Sequence, residues 1–159
     1  MYEIIFYLTA AIAVIAAGAI LVLRHPVHAA LYLIVCLLAL ALLFFLLGAP
    51  LLAALQVMLY AGAIMVLFLF LMMVMNLRPG QGQTLPAGWQ GPAVLTLFLW
   101  SEIVLLLGKS PPQGAALSVE PKAVGAALFG PYLMAVEVIA VLLLAALVAA
   151  LYLSRTERP

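Results

Sequence analysis

The chain is poor in charge, and that excludes most of what a protein of 159 residues could be. Five acidic and six basic residues make up 7% of it, while 70% is hydrophobic. Mean hydropathy is +1.38. Soluble domains carry about a quarter charged residues. The chain therefore reads as an integral membrane protein with little mass outside the bilayer. The basic residues are scattered and the net charge is +1, which leaves no patch for nucleic acid. Cysteine is nearly absent. Cys36 stands alone in an apolar run, which excludes an internal disulfide and a cysteine-held metal cluster. It is expected to be a buried, inert thiol. Histidine is scarce too: His25 and His28 have no carboxylate or cysteine beside them, a poor start for a metal site. No internal repeat is visible, against an inverted-repeat transporter, and the polar lining of a channel is missing. The first residues lack a basic region before the apolar run. The first helix is thus expected to belong to the mature protein rather than to a removed signal peptide.

What is present is a set of long apolar runs. They predict an all-α membrane protein with five transmembrane helices, at about 2–23, 28–47, 51–77, 89–107 and 131–153. All five form one membrane domain. In the first run Thr9, Ala13 and Ala17 fall four apart, with Gly18 beside them, a small-residue stripe that lets another helix approach. Pro26 ends that helix and suits the first turn of the next. The turn Gly48-Ala49-Pro50 is short and uncharged, so helices two and three should be antiparallel neighbours. Residues 78–88 read as a flexible loop, followed by Trp89 at an interface. Residues 115–129 are expected to hold at most a short interfacial helix, broken by Pro121. With five spans, Arg24, Arg78, Arg155 and Arg158 fall on one side, and Lys109 and Lys122 on the other. The positive-inside rule then puts the N-terminus outside and the C-terminus in the cytoplasm.

The stretch at 50–79 carries the most information. No charge interrupts it before Arg78. As a helix, residues 51–77 would run about 40 Å, against a hydrocarbon core of about 30 Å. The excess predicts tilt, projection or a bulge. Gln56 and Tyr60 are four apart on one face, and that face should point into protein. Gly62 weakens a helix by about 1 kcal/mol relative to alanine. Together they predict a π-bulge within residues 59–66. Met58, Met65 and Met72 repeat at seven, which fits a packing seam better than copper ligation.

Two carboxylates, Glu102 and Glu137, lie inside spans, each six residues from a flanking Gly108 or Pro131. A buried charge at a helix centre costs about 2.5–3.5 kcal/mol on insertion scales. Each is expected to face protein or water, either in a proton path or as a polar anchor to a neighbouring helix.

Three blocks resemble a known family. Tyr60-Ala61-Gly62-Ala63-Ile64-Met65-Val66-Leu67-Phe68-Leu69-Phe70 is similar to the third helix of the J subunit family of respiratory complex I, the proton-pumping NADH–quinone oxidoreductase. The mitochondrial counterpart is subunit six. Pro26-Val27-His28-Ala29-Ala30-Leu31-Tyr32-Leu33 resembles the family's entry to helix two, with His25 where asparagine is usual. Lys122-Ala123-Val124-Gly125-Ala126-Ala127-Leu128-Phe129-Gly130-Pro131-Tyr132 resembles its entry to helix five. The resemblance implies a non-redox, multi-pass subunit in the bacterial inner membrane, coupling quinone reduction to proton translocation. It implies a conformational change of helix three around Tyr60, Gly62 and Met65, with Glu137, Glu102 and Gln56 as proton-path candidates. The implied partners are membrane lipid and other membrane subunits: the quinone-site subunit, small three-helix subunits and antiporter-like subunits. Flavin, iron–sulfur clusters and quinone would sit on other subunits, since this chain has no cysteine set or nucleotide motif for them. It also lacks a lysine within a span, against a complete proton pathway of its own. Two other readings stay open: a small subunit of a multi-subunit cation/proton antiporter, and a purely structural scaffold.

Overall fold

Proline and glycine divide the chain into helices. The computed structural model describes residues 2–23, 26–74, 90–108 and 119–156. Six helices cover almost all of them: α1 (Tyr2–Val22), α2 (Pro26–Leu46), α3 (Pro50–Val74), α4 (Gln90–Leu107), α5 (Pro121–Leu128) and α6 (Leu133–Thr156). No strand occurs among the described residues. α1, α2, α3 and α6 are long and apolar enough to cross a membrane, and α4 is a shorter apolar helix. Arg24, His25, residues 75–89 and residues 109–118 lie outside the described residues. So do the expectations that fall there: the end of span three, the loop after it, Trp89, and the loop with Lys109.

The chain divides into two units, residues 1–118 and 119–159. The first holds α1 to α4. α1 packs along α2, α2 packs along the whole of α3, and α4 closes against both α1 and α2. Its core is made by Ile12, Ala13 and Ala16 of α1, Val35, Ala39 and Leu42 of α2, and Leu99 of α4. The small residues explain the close approach. Ala16 and Ala39 are fully buried, and Cys36 Sγ donates to the Ala13 carbonyl at 3.6 Å. In the second unit α5 packs against the following α6.

Several boundaries differ from the sequence expectation for local reasons. The buried stripe of α1 runs Thr9, Ala13, Ala16, whereas Ala17 and Gly18 are exposed. Steps of four and then three follow the 3.6-residue period; two steps of four overshoot it. Pro121 starts α5 instead of breaking a helix, because a first-turn proline gives up an N–H that has no partner anyway. α6 begins at Leu133, two residues after the expected start. α2 ends in a Schellman turn. Gly48 takes φ 79°, its N–H donates to the Phe45 carbonyl, and the Ala49 N–H donates to the Phe44 carbonyl. Pro50 then opens α3 in its first turn.

Candidate functional site

Two places in the first unit carry polar or irregular structure inside apolar helices. One is the middle of α3. Residues Pro50–Leu55 and Met65–Val74 are α-helical, and Gln56–Ile64 between them is π-helical. The i→i+5 bonding begins three residues before the expected window and covers nine residues. At its end the Met65 N–H reaches back to the Tyr60 and Gly62 carbonyls. A Cβ on Gly62 would stand 3.2 Å from the Val57 carbonyl oxygen, a tight contact that a shift of a few tenths of an ångström would relieve.

Within this chain the polar face of that segment is open. Tyr60 is half exposed and Gln56 is partly buried. The two were expected to face protein; here no helix of the first unit closes over Tyr60. Met65, by contrast, is buried. Met58 is well exposed, so the seven-residue methionine repeat is not one seam. The π-segment between Met58 and Met65 takes them out of phase.

The second place is Glu102. It lies on the inward stripe of α4, with Pro92, Leu99 and Glu102 buried and Leu95, Ile103 and Leu106 partly so. Its side chain is 2% exposed. Thr9 Oγ1 of α1, itself fully buried, lies 2.7 Å from Glu102 Oε2 and 2.8 Å from the Ile5 carbonyl oxygen. Glu102 Oε1 is buried and has no hydrogen-bond partner among the described residues. An unpaired buried polar group of this kind costs about 1–3 kcal/mol, and more if charged. Thr9 was read only as a member of a small-residue stripe. Its pairing with Glu102 depends on which face of α1 meets α4.

Glu137 belongs to the second unit and is exposed within it. It stands four residues into α6, about 6 Å along the axis at ~1.5 Å per residue, and not six residues from a helix end. The structure thus brings Gln56, Tyr60, Gly62 and Met65 onto one helix segment and pairs Glu102 with Thr9. No group of three or more His, Cys, Asp or Glu residues is placed to hold a metal among the described residues.

Sequence comparison fixes the family. The family model of NADH-ubiquinone/plastoquinone oxidoreductase chain 6 matches residues 16–153. The chain belongs to that family. It is 46% identical over 163 residues to NADH-quinone oxidoreductase subunit J of Pseudomonas aeruginosa, covering 98% of each chain. It is 43% identical to subunit J of Escherichia coli K12, over 98% of this chain and 88% of that one. Subunit J of Rhodobacter capsulatus is 31% identical, with 96% and 81% covered. This chain is accordingly a subunit of an NADH-quinone oxidoreductase, multi-pass in a bacterial inner membrane.

Proposed function

We propose that the chain is a non-redox coupling subunit of the proton-pumping NADH–quinone oxidoreductase, and that α3 links quinone reduction to proton translocation by changing its own hydrogen bonding. The observation that carries the reading is the π-helical stretch Gln56–Ile64 between two α-helical halves. A π-turn holds one residue more than an α-turn. Converting one to the other rotates everything beyond it by about 100°, the angle between successive α-helical residues. Gly62 permits the crowded form, and Tyr60 sits where rotation would carry its hydroxyl to a new partner. Met65, at the far end of the segment, would move in or out of its buried position. Gln56, Glu102 and Glu137 are the proton-path groups in this reading. All five apolar helices cross the membrane, with the N-terminus outside and the C-terminus cytoplasmic. The open face of α3 and the uncovered surface of α6 meet other membrane subunits: the quinone-site subunit, the small three-helix subunits and the antiporter-like subunits. Flavin, iron–sulfur clusters and quinone are held by other subunits of the complex.

The test uses the assembled complex reconstituted into vesicles, with quinone reduction and proton uptake followed together. Gly62→Val and Tyr60→Phe are expected to lower the protons moved per NADH oxidised while electron transfer continues. An unchanged ratio in both variants, in fully assembled complex, would mean that α3 is a scaffold.

A further inference from the structure

The contacts of Thr9 leave a proton to be counted. Its hydroxyl oxygen is 2.8 Å from the Ile5 carbonyl oxygen and 2.7 Å from Glu102 Oε2. A threonine hydroxyl has one hydrogen and can donate one bond, although its oxygen can also accept. The Ile5 carbonyl can only accept. If Glu102 were a carboxylate it too could only accept. One of the two short O···O contacts would then have no hydrogen in it, and two oxygens would face each other across it. A proton on Glu102 Oε2 removes the conflict.

A second observation points the same way. Glu102 Oε1 is buried and meets no donor among the described residues. On a carboxylate that oxygen would carry about half of a buried negative charge with nothing to stabilise it. On a neutral acid it is a carbonyl oxygen. Among the described residues, α1 and α2 contain no lysine or arginine to act as a countercharge. The helices packed against α4 are α1 and α2. Tyr32 and Cys36 of α2 are packed against this core, and neither is cationic. Glu3 and Tyr7 of α1 are exposed, while Tyr2 and His28 stand in the first turns of their helices.

We infer that Glu102 is a neutral carboxylic acid in this state, its O–H donated to Thr9 Oγ1 and the Thr9 O–H donated to the Ile5 carbonyl. The chain of two bonds ties α4 to the backbone of α1 and stores one removable proton between them. Thr9 is a positioning residue: it holds the acid and turns with it. When Glu102 loses its proton, the Thr9 hydroxyl must swing from the Ile5 carbonyl to the new carboxylate. The charge state rests on hydrogen-bond geometry alone; its meaning for pumping rests on the proton-path reading of Glu102.

Infrared spectroscopy of the whole purified complex at neutral pH tests it. The spectrum of the unaltered complex minus that of Glu102→Gln is expected to contain the C=O stretch of a protonated carboxyl. Thr9→Val should shift that band upward by removing its acceptor, and Thr9→Ser should leave it in place. Loss of carboxylate bands in Glu102→Gln would overturn the inference, as would a band that ignores Thr9→Val. Should Glu102→Gln fail to assemble, the two Thr9 variants decide alone. Normal pumping by Glu102→Gln would overturn the proton-path reading and leave the charge state standing.

Discussion

At the scale of single residues, Tyr32 of α2 fits tightly against Gly91 of α4. A Cβ built on Gly91 would collide with the Tyr32 hydroxyl, so the phenol of α2 lies against bare backbone at the start of α4. Gly91→Ala is expected to destabilise the unit by about 1–3 kcal/mol, the usual cost of overpacking. Thermal unfolding of the purified complex would measure it. Tyr32→Phe, which removes the colliding oxygen, should recover part of the loss. An alanine that costs nothing would mean that the ring moves aside freely. Neither Gly91 nor Thr9 announced its role in the sequence. Each depends on which residue of another helix stands opposite, and that is set by helix rotation rather than by composition. Glu102 was legible because a carboxyl in an apolar run is expensive wherever it points.

At the scale of elements, the helix ends were the most legible. Pro26, Pro50 and Pro121 each stand at the first residue of a helix, because the proline ring fixes φ and lacks only an N–H that would be unpaired there. Gly48 ends α2 in the left-handed region. Gly48→Ala should lower stability by about 1–2 kcal/mol, the cost of placing a Cβ in that conformation. The same unfolding measurement would detect it, and no loss would mean that the turn has an alternative geometry. The length of the π-helical segment was not legible. A mid-helix glycine and excess length point to irregular bonding, but nine residues of it require tertiary packing to hold them. α2 packs along this part of α3 as well as along its flanks. Glu137, six residues after Pro131, stands only four residues into α6, because that helix starts at Leu133. Residues 129–132 form a turn, in which the Tyr132 N–H donates to the Ala127 carbonyl.

At the scale of the whole molecule, each of the two units leaves a large apolar surface open. None of the most apolar window of α6 is buried, and the outward sides of α1 and α3 carry Leu21, Val22, Leu67 and Met73 in the open. The class of protein was legible from that excess alone. That excess alone does not name a partner, because the hydrophobic effect has no direction and lipid covers such a face as well as another helix does; the expectation of other complex subunits came from the family resemblance. The proposed orientation can be checked at Ser154, near the end of α6. In a chain with Cys36→Ala, a Ser154→Cys variant should react with a membrane-impermeant maleimide in inside-out vesicles and not in intact cells; the reverse pattern would invert the topology. That experiment bears on the Schellman turn as well. Gly48, Ala49 and Pro50 join α2 to α3 with no charge at all, so the hairpin has no preference of its own for which way round it crosses. Under the positive-inside rule its direction is expected to be set beyond its two ends, by the basic residues Arg24 and Arg78. Relocating those charges would turn over two helices together, as one topological unit.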